Sequence, residues 1–86
     1  MHKKRVILLT EIVNKETNDY NVVAVFDDET AVDVMTKYFN VIARYEMKMA
    51  EALVDRLLGT LFEDISEIVE IDDWCIQCVV AEYYFE

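Results

Sequence analysis

The chain contains no proline, a single glycine and a single histidine among its 86 residues. Without glycine-rich segments it has no loop of the kind that cradles phosphate groups. The one histidine, His2, lies at a terminus, so nucleophilic catalysis lacks a positioned general base. These absences predict a protein that is not an enzyme and that uses no cofactor.

Basic residues are also absent after Arg56, whereas carboxylates continue to Glu86, and the net charge is −10. Binding to duplex nucleic acid requires clustered cations, so direct contact with nucleic acid is not expected. The same charge disfavours anionic membrane surfaces. A basic protein, by contrast, would be attracted to this chain.

Targeting and redox signals are few. The basic start at His2–Arg5 is followed by an apolar run, Val6–Leu9, that is too short for a signal peptide and lacks a cleavage site. No stretch approaches the length of a membrane span. Two cysteines and no signal predict a protein of the reducing cytoplasm.

Cys75 and Cys78 have the spacing of a thioredoxin-type redox site, which requires the first thiol at a helix N-terminus. Here the segment reads as a strand, whose alternation would place the two thiols on opposite faces. Buried core residues explain both cysteines. A structural zinc site lacks a second pair of ligands and a usable histidine.

Apolar residues make up 55% of the chain, more than is usual for a domain this small. We therefore expect one domain over residues 1–86 that oligomerises or binds a partner.

The order of elements predicts an α+β fold. A first strand over Lys4–Val13 and a second over Tyr20–Phe26 are joined by a polar turn, which makes them an antiparallel hairpin. The last strand is predicted over Trp74–Phe85. The expected architecture is ββααβ, a three-stranded antiparallel sheet with one long and one short helix packed on one face.

The long helix is predicted over residues 29–58, because one polar stripe stays in phase throughout that range. Such a helix would measure about 45 Å, in a globule only about 30 Å across. Either it bends near Asn40 or it projects. Gly59 is interpreted as its end, and Thr60 and Glu63 as the capping box of a second helix over 61–70. A strand over Glu67–Ile71, with a hairpin turn at Asp72-Asp73, is the alternative.

Two surfaces are candidate binding sites. The first is an acidic surface, whose members are Glu63, Asp64, Glu67, Glu70, Asp72 and Asp73. If this segment is helical, Glu63, Glu67 and Glu70 share one face and form an array that mimics DNA phosphates. The second is an apolar stripe on the long helix, readable as core or as a dimer interface; its members are Met35, Tyr38, Ile42, Tyr45 and Met49.

The run Val23–Ala31, together with the strand Val6–Val13 and the acidic tail Glu82–Glu86, resembles short ββα-plus-strand accessory proteins of phages and archaeal viruses. That resemblance implies a viral protein that acts in the host cytoplasm, in a class that includes inhibitors of CRISPR and restriction systems. We therefore expect a non-enzymatic inhibitor of a basic or nucleic-acid-handling host protein. The alternative is a structural or regulatory homodimer paired through the long helix.

Overall fold

The first two strands form the predicted hairpin. In the computed structural model, which describes residues 2–62 and 68–85, β1 runs over His2–Asn14 and β2 over Asp19–Phe26. The turn between them is held by the side chain of Asn14, whose Oδ1 accepts backbone N–H bonds from Glu16 at 2.9 Å and from Thr17 at 3.4 Å. Asn18 adopts a left-handed conformation there, with φ of 60°, as asparagine readily does.

The sheet has four antiparallel strands rather than three, in the order β2-β1-β4-β3. The extra strand is β3, Val69–Ile71, which joins β4, Trp74–Phe85, through a turn at Asp72-Asp73. The predicted helix over 61–70 is wrong at its end, where Val69 and Glu70 belong to a strand, and residues 63–67 of that range lie outside the described residues. The alternative strand over Glu67–Ile71 is confirmed for Val69–Ile71. A three-residue strand falls below the length at which a sequence pattern separates strand from helix.

The predicted single helix is also wrong, and of the two alternatives given for its length, the bend near Asn40 is the one observed. Helix α1 covers Ala31–Lys37 and continues as one π-helical turn over Tyr38–Ile42, here called the π segment. After a reversal, helix α2 covers Met47–Phe62. Gly59 lies inside α2, so neither the predicted end there nor a new helix starting at Thr60 is observed.

The start of α1 is preceded by a turn that the side chain of Asp27 holds. Asp27 Oδ1 accepts bonds from the backbone N–H of Thr30 at 2.9 Å and from its hydroxyl at 2.8 Å. These bonds lower the pKa of the Asp27 carboxyl below its usual 3.8, the Thr30 hydroxyl contributing most. The helix therefore begins after Thr30, two residues later than predicted.

The helices cover one face of the sheet and form the core with it. Met35 of α1 is fully buried against β4, where the Cys78 thiol lies 3.8 Å from its sulfur. Burial raises the pKa of that thiol to about 12, so Cys78 stays protonated. The residues that fill this core from sheet and helices include Ile7, Leu9, Phe26, Phe39, Val54, Leu57, Val69 and Ile76.

The opposite face of the sheet carries none of the described helices, and we call it the open face. Strand register assigns alternate positions to it: Leu8 lies opposite Val25 on β2 and Val79 on β4. None of its side chains belongs to the core. Its members include His2, Lys4, Val6, Leu8, Thr10, Ile12, Tyr20, Val22, Val25, Glu70, Cys75, Gln77, Val79 and Ala81.

Within the described ranges, no helix is both long and apolar enough to cross a lipid bilayer.

Candidate functional site: a groove lined by aromatic rings and carboxylates

The site is organised around Trp74, the only tryptophan of the chain, at the first position of β4. Its indole Nε1 donates a 2.7 Å hydrogen bond to Oε2 of Glu11 on β1. A charged acceptor makes such a bond stronger than a neutral one. Glu11 therefore fixes the plane of the indole from the neighbouring strand.

The π segment and the reversal after it bring two tyrosines to the same ring. The backbone N–H of Ala43 donates to the carbonyl of Tyr38 at 3.0 Å, which closes the wide turn. Arg44 then adopts a left-handed conformation with φ of 65°, and Asn40 Nδ2 donates to the carbonyl of Tyr45 at 2.9 Å. Short π turns of this kind recur at functional sites in proteins.

The rings form one contiguous cluster. Trp74 and Tyr45 are nearly parallel, at 13° with centroids 6.2 Å apart, and Tyr38 lies 6.3 Å from Trp74 at 34°. Beneath them Phe39, fully buried, presents its edge to Trp74 at 6.0 Å. Tyr38, Tyr45 and Trp74 are only half-buried, so three aromatic rings stay accessible above a fixed base.

Two carboxylates border these rings. Asp72 and Asp73 form the two-residue turn between β3 and β4, both are exposed, and Asp72 has φ of 54°. Aspartate tolerates this left-handed conformation better than most residues. Because Trp74 follows directly, the turn places both acids next to the indole.

The resulting groove has a volume of about 520 Å³. Its lining combines the exposed acids and accessible rings with apolar side chains: Tyr38, Ile42, Ala43, Tyr45, Ile71, Asp72, Asp73 and Trp74. We call it the aromatic–acidic groove.

Charge in and behind the groove is negative. Burial raises the pKa of the Tyr38 hydroxyl, and the nearby Glu11 carboxylate raises it further. Tyr38 is therefore a neutral phenol at physiological pH. The groove offers ring faces, which attract cations, together with carboxylates that do the same. It thus has the chemistry to bind a positively charged side chain.

The structure divides the predicted acidic surface. Glu70 lies on β3 and pairs with Lys15, so the predicted helical array of Glu63, Glu67 and Glu70 is wrong. Glu63, Asp64 and Glu67 lie outside the described residues. Asp72 and Asp73 are the two members that reach the groove.

The predicted apolar stripe is divided as well. Met35 lies in the core and cannot meet a partner. Met49 is exposed on α2, away from the groove lining. Tyr38, Ile42 and Tyr45 line the groove, so three members of the apolar stripe meet two members of the acidic surface in one site.

The remaining site residues carried no signal in the sequence. Glu11 is 63 positions from Trp74, and Phe39 reads as an ordinary core residue of a helix. The lone tryptophan was the one available hint.

The two cysteines lie on opposite faces of β4, as predicted. Strand register places Cys75 opposite Ile12 on the open face and Cys78 opposite Leu9 in the core. Both are thiols in the structure, and the geometry offers no shared redox site.

Comparison of the chain with protein-family models, with curated proteins and with solved structures gives no match. The resemblance to viral accessory proteins accordingly stays a prediction.

Proposed function

We propose that this chain is a non-enzymatic binding protein whose aromatic–acidic groove holds a basic segment of a partner protein. The observation that carries the proposal is the convergence of three accessible rings and two exposed carboxylates on one groove. In this proposal an arginine or lysine side chain lies across Trp74 and Tyr45, with its charged end at Asp72 and Asp73.

Physical chemistry favours arginine over lysine. The planar guanidinium stacks on aromatic faces while it donates to carboxylates, and it gives up its hydration more readily than an ammonium. A cation over a partly exposed ring contributes about 0.5–1 kcal/mol, and an exposed ion pair about 0.2–1 kcal/mol. Several such contacts, added to the apolar lining at Ile42, suit a short segment with more than one basic residue.

Aromatic platforms also stack nucleobases, so single-stranded nucleic acid is the other ligand to weigh. Asp72 and Asp73 argue against it, because their carboxylates would repel the phosphates that accompany every base. The net charge of −10 acts in the same direction over longer distances. A basic protein segment satisfies both the rings and the acids.

The identity of the partner follows from the resemblance rather than from the groove. Our proposal keeps a basic host defence or nucleic-acid-processing protein as the target, inhibited by occupation of its basic surface. In this proposal the aromatic rings of the groove and the carboxylates of Asp72 and Asp73 recognise the target, instead of a helical array of carboxylates that mimics DNA phosphates.

The proposal is tested by titrating the protein with a capped arginine-rich peptide while following Trp74 fluorescence. The matched peptide carries citrulline in place of arginine, which keeps the shape and removes the charge. Since Trp74 is the only tryptophan, the signal reports on the groove directly. We expect binding of the arginine peptide, weakened by salt, and no measurable binding of the citrulline peptide.

A pair of double variants separates the groove from general attraction. Asp72→Asn with Asp73→Asn should weaken peptide binding about tenfold, the equivalent of about 1.4 kcal/mol. Asp33→Asn with Asp55→Asn removes the same charge from exposed helical positions and should change affinity less than about threefold. Equal losses in the two double variants would show that only net charge matters and would refute the groove.

A further inference from the structure

Glu11 lies behind the aromatic–acidic groove, on the strand next to Trp74. It occupies the helix-facing row of β1, two positions after the fully buried Leu9, and it pairs with Ile76 in the register with β4. Glu11 is half-buried, and among the described residues it is not part of the groove lining. Any effect of Glu11 on a bound segment is therefore transmitted through the rings that it meets.

The Glu11 carboxylate acts on two of the three accessible rings. Its Oε2 accepts the 2.7 Å hydrogen bond from Trp74 Nε1. Burial raises the pKa of the Tyr38 hydroxyl most, and the charge of Glu11 raises that pKa further. Since the rings of Tyr38 and Trp74 lie 6.3 Å apart, one carboxylate sets the electrostatic environment of both.

Hydrogen bonding alone does not explain why this residue is an acid. A half-buried indole N–H requires an acceptor, and a glutamine amide oxygen of the same reach would supply one. The carboxylate adds a charge to a chain that already carries −10, and such an excess disfavours the compact state. Within residues 2–62 and 68–85, no ion pair involves Glu11. The fold thus gives no reason for the charge itself.

The charge of Glu11 makes the ring faces more attractive to a cation. A cation over a ring is drawn by the negative charge of the ring face, and hydrogen-bonded groups in a partly buried site polarise one another. A carboxylate that accepts the indole N–H therefore makes the face of Trp74 more negative. The carboxylate also attracts the cation directly, because a cation on the ring lies within about 6 Å of the ring centre.

We propose that Glu11 determines the preference of the aromatic–acidic groove for cations, by its charge behind Trp74 and Tyr38 and without contact with the ligand. This role rests on the proposed function, since the ligand is the basic segment held in the groove. Asp72 and Asp73 are exposed, so water and salt screen their charges. The half-buried charge of Glu11 is screened less, which makes Glu11 a positioning residue with an electrostatic effect.

Two variants at position 11 separate the charge from the hydrogen bond. Glu11→Gln keeps the reach and an acceptor for the indole but removes the charge, whereas Glu11→Asp keeps the charge and shortens the reach. Glu11→Gln should weaken binding of the arginine-rich peptide about fivefold, as expected for a charge about 7 Å from the ligand in a partly exposed site. Glu11→Asp should weaken it less. The opposite order would show that Glu11 only orients the indole, and it would overturn the proposal.

Glu51→Gln is the matched control. It removes the same charge from an exposed position of α2, so affinity for the peptide should change less than about twofold. A loss equal to that of Glu11→Gln would mean that net charge alone matters, and the proposal would then be wrong.

Quenching of Trp74 fluorescence tests the charge without the peptide, because Trp74 is the only tryptophan. Neutral acrylamide measures how exposed the indole is, whereas the ratio of caesium-ion to acrylamide quenching measures the electrostatic potential at the ring. Glu11→Gln should leave acrylamide quenching unchanged and lower the caesium-to-acrylamide ratio about twofold. An unchanged ratio overturns the proposal.

The two proposals fail in different ways. If the original protein does not bind the peptide, the proposed function is wrong, and the caesium-to-acrylamide ratio still decides whether Glu11 draws cations to the rings. If the original protein and Glu11→Gln bind the peptide equally well, the groove is supported and the role of Glu11 is refuted. Circular dichroism checks that each variant is folded. If Glu11→Gln does not fold, Glu11→Asp and Glu11→Asn give the same contrast in charge at equal length.

Discussion

Phe39 supports the accessible rings from below, and its removal tests how the groove is built. Phe39 is 0% exposed, and its ring centroid lies 5.6 Å from that of Tyr38 and 6.0 Å from that of Trp74, both in edge-to-face arrangements. It lies in the π segment, where one extra residue in the turn aims it at the sheet. Phe39→Ala would leave a cavity under both rings.

The cost of this change follows from the burial and the ring contacts. Phenylalanine-to-alanine changes in cores cost about 3–5 kcal/mol, of which each edge-to-face pair accounts for about 0.5–1.5 kcal/mol. A domain of this length has roughly 4–13 kcal/mol in total, so Phe39→Ala removes a large share of the free energy of unfolding and should make the protein far less resistant to denaturant. Phe39→Leu retains much of the volume and should cost about 1–3 kcal/mol, the value of the two ring contacts.

Urea unfolding followed by Trp74 fluorescence and by far-ultraviolet circular dichroism measures both losses. Val41→Ala is the control, because Val41 lies in the same π segment but is exposed. It should change the unfolding free energy by less than about 0.5 kcal/mol. A loss under about 1 kcal/mol for Phe39→Ala would refute the packing described here.

Three further predictions concern other parts of the fold. Gly59→Ala should stabilise the folded protein by about 0.5–1 kcal/mol, because Gly59 is helical and a Cβ there meets nothing within 4 Å. The gain should appear as a rise of a few degrees in Tm, and a lower Tm would contradict an uninterrupted α2. Iodoacetamide should label Cys75 in the folded protein and Cys78 only on unfolding, since Cys78 is buried with a pKa of about 12; equal rates would contradict their opposite placement. Asp27→Ala should lower Tm at neutral pH, and the difference in Tm between the variant and the original protein should vanish in acid. The pKa of the Asp27 carboxyl is lower in the folded protein than its usual 3.8, so its stabilisation is present above pH 3.8 and is lost as pH falls through the pKa of the folded state.

The strands were largely predictable because their pattern is local. Strands are predicted from short stretches of sequence without reference to distant residues: the apolar runs at Val6–Leu9 and at the start of the last strand predict strands, and the polar turn after Asn14 predicts a hairpin. The bounds of β4 match the prediction at both ends. β3 was predicted only as the alternative to a helix, because three residues carry too short a pattern to decide between the two.

The helical region shows where periodicity fails. Asn40 and Arg44 keep the spacing of a continuous polar stripe, yet the chain between them forms a π turn and Arg44 takes a positive φ. A periodic polar stripe shows which residues are polar, but it does not show whether the backbone changes direction between two of those residues. The length of the predicted helix gave the break as one of two alternatives, since a straight helix of this length exceeds the domain and had either to bend or to project.

The groove depends on that reversal and was therefore not predictable as one site. The sequence identified Tyr38 and Tyr45 as apolar surface and Asp72 and Asp73 as acidic surface, on elements with no stated relation. Their convergence requires both the break after the π segment and the β3–β4 hairpin. Glu11 joins them only through the pairing of β1 with β4.

The central claim, that the aromatic–acidic groove binds a basic segment, is tested most directly by nuclear magnetic resonance titration with the arginine-rich peptide. We expect the resonances of the Trp74 indole N–H and of the backbone amides of Tyr45, Asp72 and Asp73 to shift together and to saturate. The amide of Val25 on the open face should not move. Shifts spread evenly over the acidic surface, or confined to α2, would contradict the claim.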